Sequence, residues 1–422
     1  MSQVNTYLNR DLLRFSTAGS VDDGKSTLIG RLLFDSKSIF QDQLDSIENT
    51  SKKKGLEHID LSLLTDGLKD EREQGITIDV AYRYFSTPKR KFIIADTPGH
   101  IQYTRNMVTG ASTANAAIIL IDARNGVVEQ TKRHTFIASL LNIPHLIVCV
   151  NKMDLVDYKE EAYENIIAQF KELESKLTIQ DIRFIPISAL VGDNVVERGE
   201  NMTWYQGSTL LHTLESLPVS NYQNLRDFRL PVQTVIRPHK TEYHDFRGYA
   251  GRIAGGVIRK GDEVKVLPSG MESIVAKIHL LDQEVEEAFA GQSVAIELED
   301  DIDIGRGDVI AKVENTPESI QDVDAMLCWM GDSPMNPAKK YTLMYNGNEV
   351  MCKVKRLVHE IDVNTFHVNE ESSKLEKNGI GRVNLRLAKP IAADPYSKNR
   401  NTGSFIIVEE GSNATVAAGM IR

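Results

Sequence analysis

Residues 19–26 read Gly19-Ser20-Val21-Asp22-Asp23-Gly24-Lys25-Ser26, and no other stretch constrains the fold so strongly. The apolar run Leu12 to Phe15 before it reads as a strand, and Leu28 to Phe34 after it reads as a helix. A glycine-rich turn between a strand and a helix is the context in which this spacing makes a phosphate-binding loop. The glycines let backbone N–H groups curl around an anion, and the helix N-terminus adds partial positive charge. Lys25 is placed to reach terminal phosphates, and the Ser26 hydroxyl, followed by Thr27, to ligate Mg²⁺.

The rest of the first half supports an α/β reading. Lys91–Ala95, Ala116–Ile121, Leu146–Val150 and Phe184–Ile187 are short runs rich in Ile and Val, as expected of strands buried on both faces of a parallel sheet. Helical patterns lie between them, at about Tyr103–Ala114, Val128–Leu141, Tyr158–Leu177 and Thr209–Leu217. After Pro218 the pattern changes. Asn221–Arg229 reads as a polar linker. It is followed by short alternating segments such as Val232–Ile236, Arg252–Ile258, Glu263–Val266, Val275–His279 and Ser293–Leu298. Val313–Val323 reads as a second polar break before Tyr341–Tyr345, Val350–Leu357, Arg382–Leu387 and Phe405–Val408. We therefore expect a doubly wound, mostly parallel α/β P-loop domain over residues 1–220, then two all-β barrel domains over 228–315 and 322–422. Gly248, Gly251, Gly255 and Gly256 read as turn and bulge glycines, and Lys52-Lys53-Lys54 as a solvated turn. His239 and His244 lack the cysteine partners of a metal site.

Further segments define the nucleotide and the chemistry. Asp96-Thr97-Pro98-Gly99-His100 ends a strand; Asp96 can hold Mg²⁺ through water, and the Gly99 N–H can meet a γ-phosphate. Thr77, within Glu71–Asp79, can complete the Mg²⁺ shell, giving Ser26, Thr77 and Asp96 as metal candidates. Asn151-Lys152-Met153-Asp154 follows another strand: Asp154 can accept from guanine N1–H and N2–H₂, Asn151 can pair with N7 or O6, and the Lys152 stem can lie over the base. Ser188-Ala189-Leu190 can offer a backbone N–H to O6. Adenine presents no matching pair of donors, so the cofactor implied is GTP. A net charge of −10 argues against a nucleic-acid-binding surface, and no apolar run is long enough for a bilayer. The three cysteines, Cys149, Cys328 and Cys352, form no CxxC pair; with no signal peptide evident, a cytoplasmic protein is expected.

Glu71–Ile78, Asp96–His100 and Asn106-Met107-Val108-Thr109-Gly110-Ala111 resemble the translation-factor GTPases of the elongation factor Tu type. In that family a histidine at the place of His100 orients the attacking water, so the resemblance makes His100, with Lys25 and Thr77, the catalytic candidates. The chain is more similar still to the large, GTPase subunit of bacterial sulfate adenylyltransferase. Asp22–Thr27, Asp60–Asp79, Val80–Phe85, Phe246–Gly251, Val264–Gly270, Glu287–Gly291 and Ile302–Asp308 carry that likeness. Ile101 departs from it, standing where this branch usually has glutamate. The resemblance implies GTP hydrolysis coupled to adenosine 5′-phosphosulfate synthesis from ATP and sulfate. The adenylyl transfer would lie on a small ATP-pyrophosphatase-type partner, with no nucleic acid or membrane involved. The rival reading is an elongation factor Tu-like carrier of aminoacyl-tRNA. The acidic charge balance, the Asp-Asp-Gly-Lys-Ser loop and the Asp60–Asp79 run favour the first.

Overall fold

The computed structural model describes residues 11–37, 39, 41–53, 59–64, 77, 79–179, 181–219, 224–237, 246–363 and 365–422. The chain divides into two compact units, Met1–Asn221 with Val363–Phe366, and Tyr222–Asp362 with His367–Arg422. The first unit contains β1 (Leu12–Gly19), α1 (Lys25–Asp35), α2 (Gln41–Lys53), β2 (Ala81–Ser86), β3 (Lys91–Asp96), α3 (Thr104–Ala111), β4 (Ala116–Asp122), α4 (Glu129–Leu140), β5 (His145–Asn151), α5 (Glu160–Glu174), β6 (Asp181–Pro186) and α6 (Leu210–Ser216). Its sheet runs β2-β3-β1-β4-β5-β6, all neighbours parallel except β2 with β3.

Every residue of β4 and β5 is buried, which explains why both read as continuous apolar runs rather than alternating ones. Leu13 and Phe15 of β1 pack on Leu28, Ile29 and Leu32 of α1, seating that helix directly behind the phosphate loop. Tyr163, Ile166, Phe170 and Leu173 make the buried stripe of α5. Two elements were not anticipated. Strand β2 lies at the sheet edge with Tyr82 and Tyr84 exposed, so it lacks the apolar signature of its neighbours. Lys52 and Lys53 are the last residues of helix α2 rather than part of a turn, and Lys54 lies outside the described residues. Among the described residues no helix is long and apolar enough to cross a membrane.

The second unit is all β. Its first part holds β7 (Arg229–Pro231), β8 (Thr234–Ile236), β9 (Gly248–Arg252), β10 (Val257–Arg259), β11 (Glu263–Leu267), β12 (Glu272–Leu280), β13 (Gln283–Val285), β14 (Glu287–Phe289), β15 (Ser293–Leu298) and β16 (Val309–Lys312). The path is β7-β16-β11-β12-β15-β9-β8, with β13 on β12 and a separate β10–β14 pair. Its second part holds β17 (Glu318–Trp329), β18 (Tyr341–Tyr345), β19 (Asn348–Ile361), β20 (Val368–Asn369), β21 (Ile380–Ala393), β22 (Ser404–Glu409) and β23 (Thr415–Ile421). The path β18-β22-β23-β17-β21-β19-β20 returns on itself where β18 also pairs with β19, closing a barrel around Leu327, Leu343, Val383, Leu385, Phe405 and Ile407.

Three sequence expectations change here. Arg252–Ile258 is two strands, because Gly255 and Gly256 turn the chain; a Cβ on Gly256 would stand 2.3 Å from the Phe228 nitrogen, and its φ is +75°. The polar break at Val313–Val323 ends early, since Glu318 already begins β17; the buried residues Val323, Ala325 and Leu327 alternate with the half-buried Asp324 and Met326. The end of the polar linker is not solvated: Phe228 and Arg229 are fully buried.

Arg229 reaches Asp394 through Nε at 2.8 Å and Nη2 at 2.9 Å, while its Nη1 donates to the carbonyls of Phe228 at 2.8 Å and Asn315 at 2.6 Å. Thr402 Oγ1 donates to Asp394 Oδ2 at 2.7 Å. This ion pair joins β7 to the end of β21 region with nearly every polar atom met, which is the condition under which a buried pair is tolerated. Arg229→Met should strand Asp394 and cost about 3–5 kcal/mol, whereas Arg229→Met with Asp394→Leu should recover most of that loss. Denaturant unfolding of both variants, compared with the unaltered chain, checks this.

Candidate nucleotide site

The parallel strands β1, β3, β4, β5 and β6 deliver their carboxyl ends to one side of the sheet, and every sequence-predicted site loop except the one holding Thr77 leaves from there. Helix α1 starts at Lys25 immediately after Gly24, whose φ of 91° only glycine adopts readily. The first N–H groups of Lys25, Ser26 and Thr27 precede any intrahelical acceptor and can serve an anion. Lys25 is buried, and its Nζ donates to the carbonyls of Gly19 at 3.1 Å and Ser20 at 2.8 Å, leaving its third donor. Asp23 closes the loop from within: Oδ2 accepts from the Ser20 N–H at 2.5 Å. Ser20 Oγ hydrogen-bonds Gln130 Oε1 on α4, a tie the sequence reading did not single out.

Burial pushes the Lys25 ammonium pKa down, while Asp96, Asp23 and Asp22 hold it up. Burial pushes the Asp23 carboxyl up against the Ser20 hydrogen bond and the pull of Lys25. Asp96 is buried at the end of β3, where its Oδ1 accepts from Thr17 Oγ1 at 3.3 Å; Thr97 Oγ1 donates to the Thr17 carbonyl at 2.6 Å.

At the other end of the cleft, Asn151 is 1% exposed and its Nδ2 donates to the Asp23 carbonyl at 2.7 Å. Its Oδ1 accepts from the Ala189 N–H at 3.0 Å. Asp154 is half-buried, and Ser188 Oγ donates to its Oδ1 at 2.6 Å, fixing the carboxylate. Arg31 of α1 holds the same loop from below, its Nε donating to the Ala189 carbonyl at 3.1 Å and its Nη2 to the Leu190 carbonyl. Leu190 is exposed; Met153 is fully buried in the core, and Ser188 and Ala189 are buried.

Between the two ends lies a cleft of about 270 Å³ lined by Val21, Asp22, Gly24, Lys25, Ser26, Thr27, Ser62, Thr77, Gly99, His100 and Lys152. It brings Thr77 and His100 to the phosphate loop, although most of Glu71–Ile78 lies outside the described residues, as do His239 and His244. Ser62 was missed; its signal was only the Asp60–Asp79 likeness, and it enters because Leu61–Leu64 forms a 3-10 turn on α1. A Cβ on Gly30 would stand 2.2 Å from the Leu61 carbonyl oxygen, so glycine permits that approach. The Gln102 N–H donates to His100 Nδ1 at 3.3 Å. Among the described residues no cluster of His, Cys, Asp or Glu forms a metal centre, and the cysteines are free and buried.

This is the site of a P-loop GTPase, and the profile of the "Elongation factor Tu GTP binding domain" family matches residues 10–225. Residues 322–422 match the "GTP-eEF1A C-terminal domain-like" family. The chain is 52% identical over 423 residues to sulfate adenylyltransferase subunit 1 of Pseudoalteromonas atlantica, covering 100% of this chain and 89% of that one. It is likewise 52% identical to the subunit 1 of Bacteroides thetaiotaomicron, over 98% of this chain and 86% of that protein. It is 53% identical to the bifunctional enzyme CysN/CysC of Mycobacterium tuberculosis across 97% of its own length, spanning 67% of that longer protein. The chain belongs to the sulfate adenylyltransferase subunit 1 family, within the elongation factor Tu-type GTPases.

Gly99 offers a direct test of the cleft. A Cβ there would stand 2.4 Å from the Gly19 carbonyl oxygen and 2.6 Å from Lys25 Nζ. Gly99→Ala should force the loop after β3 away from the phosphate loop. GDP affinity should change little, while the preference for GTP over GDP should fall, by an amount read from equilibrium titration of both nucleotides.

Proposed function

We propose that this chain is the GTP-hydrolysing subunit of a sulfate adenylyltransferase. GTP turnover here is coupled to the formation of adenosine 5′-phosphosulfate and pyrophosphate from ATP and sulfate. The adenylyl transfer occurs on a separate small subunit of the ATP-pyrophosphatase type. One observation carries the reading: a single cleft joins the phosphate loop, Thr77 and His100, and a guanine-matched acceptor lies beyond it, in a chain 52% identical over its whole length to proteins named subunit 1. The number in that name supports a second subunit. Free buried cysteines fit a reducing cytoplasm.

In this reading Asp154 accepts from guanine N1–H and N2–H₂, with Ser188 holding it in place. Asn151 stitches the base loops to the phosphate loop and can still offer its second Nδ2 hydrogen to the base. Lys25 and the N–H groups at the start of α1 hold the phosphates. Ser26 and Thr77 hydroxyls with the Asp96 carboxylate are hard oxygen donors of the type Mg²⁺ takes, and the ion would screen phosphate charge. His100 lines the cleft beside the phosphate loop and orients the attacking water towards the γ-phosphate.

His100→Ala should keep nucleotide affinity and slow single-turnover GTP hydrolysis about 10²-fold, the size of a lost water-positioning group. An unaltered rate with the small subunit present removes His100 from the chemistry. Asp154→Asn should lose GTP and gain xanthosine triphosphate, because xanthine presents an acceptor where guanine has a donor; competition titration reads the switch.

Alone, the chain should form no adenosine 5′-phosphosulfate. With the small subunit, GTP should raise its yield, and ATP with sulfate should stimulate GTP hydrolysis; coupling between the two sites must be reciprocal in binding, while the rate effects need not be symmetric. A radiolabelled-sulfate assay with and without GTP tests this. Yield indifferent to GTP, together with GTP-dependent protection of aminoacyl-tRNA from hydrolysis, would establish the carrier reading instead.

A further inference from the structure

Asp122, the last residue of β4, was not singled out by sequence, yet it is the most heavily engaged carboxylate near the base end of the site. It is 2% exposed. Lys152 Nζ stands 3.1 Å from its Oδ2. The Arg124 backbone N–H and Nε reach Oδ1 at 2.9 and 3.0 Å, and Arg124 Nη2 reaches Oδ2 at 2.6 Å. Its own carbonyl accepts from the N–H groups of Asn125 at 3.0 Å and Gly126 at 3.1 Å, so the backbone beneath it is fixed as well. Burial opposes its ionisation, but the hydrogen bonds from Arg124 and Lys152 win and lower it to about 2, so it is charged throughout the working range.

Lys152 is what this carboxylate acts upon. Its backbone is left-handed, with φ 63°, and its side chain is 22% exposed. Its Cε lies 4.0 Å from the point a Cβ on Gly24 would occupy, and it lines the cleft beside that glycine. A lysine stem turns about several bonds, and holding it in one rotamer costs up to about 2 kcal/mol of side-chain entropy. An ammonium free in water would leave the stem mobile. Here the ammonium is tied to Asp122, with Asp23 of the phosphate loop also in its field.

We infer that Asp122 is a positioning residue for nucleotide binding. It pins the Lys152 ammonium so that the lysine stem stands as a preformed wall of the guanine slot, and Arg124 completes the neutralisation of that carboxylate. The inference rests on the guanine reading given above. Asp154 reads the edge of the base; Asp122 acts on its face, through Lys152, and should not distinguish one purine from another.

The experiment measures release of fluorescently labelled GDP and inosine diphosphate by stopped flow, using the full chain. The variants are Asp122→Ala, Asp122→Asn, Lys152→Ala and the Asp122→Ala/Lys152→Ala double. Asp122→Asn keeps an acceptor for the Arg124 N–H, so it serves if the alanine variant does not fold. Loss of a charge-assisted buried hydrogen bond predicts release about tenfold faster or more, by the same factor for both nucleotides. In the Lys152→Ala background, removal of Asp122 should add little, since the cycle isolates what Asp122 does through the lysine. Effects that add in full, or wild-type release in both Asp122 variants, overturn the inference. Asp154→Asn in the same series should change the GDP to inosine diphosphate ratio. If it does not, the guanine reading itself fails, which separates the two failures.

Discussion

The Asn151 carboxamide is the interaction on which the rest of the site depends. One end donates to the Asp23 carbonyl in the phosphate loop, and the other accepts from the Ala189 N–H in the loop after β6. An amide can do both at once; a carboxylate or a methyl group cannot. The residue is delivered by β5, an entirely buried strand, so its position is set by the core rather than by the loops it joins. Parallel register then puts the other working groups in line: Asn151 pairs with Asp122 across β4–β5, and Asp96 with Thr17 across β1–β3. A buried, satisfied polar group of this kind specifies geometry more sharply than apolar packing does. It keeps the phosphate end and the base end at a fixed separation.

Legibility from sequence tracked how local the cause was. The phosphate loop, the strands feeding it and the Asn151–Asp154 turn carry their signal within a few residues, because loop glycines and buried runs are one-dimensional features. The partners that fix them do not. Gln130 reaches Ser20 from 110 positions away, and Arg31 reaches Ala189 from 158 away. Asp122 looks in sequence like one more strand-end acid, and only the fold sets Lys152 and Arg124 around it. Strand β2 was missed for the opposite reason, since an edge strand with exposed tyrosines has no buried run to detect. Strand β17 was misread because its first residues are polar, although its inward positions alternate correctly.

The second unit uses charge differently. Arg229 and Asp394 lie inside a body whose barrel is otherwise filled by aliphatic and aromatic side chains. Apolar residues of similar volume would hold that junction nearly as well, so the pair contributes more to orientation than to net stability. Its donors go to the Phe228 and Asn315 carbonyls as well as to the carboxylate, so a shifted register would leave several of them unmet at once. That is how a costly group enforces one arrangement of the β7 and β21 strands.

At the phosphate loop the same arithmetic serves binding. Removing an ammonium from water costs several kcal/mol even after relaxation. A carboxylate about 4 Å away at an effective dielectric near 20 returns about 4 kcal/mol. Asp96, Asp23 and Asp22 all act on Lys25 in that sense, so it can stay charged in a buried position before any anion arrives. Asp23 is itself buried: burial and the nearby Asp122 push its pKa up, against the Ser20 hydrogen bond and the pull of Lys25 and Lys152. An incoming phosphate takes over the work of holding Lys25 charged, and by the same Coulomb rule it makes a neutral Asp23 easier to form. Lys152, lying within the field of Asp23 and tied to Asp122, ends this chain of alternating charge at the base. Phosphate charge and base packing are thus felt by one connected set of side chains, which is why an acid at the end of β4 can govern how long a nucleotide stays.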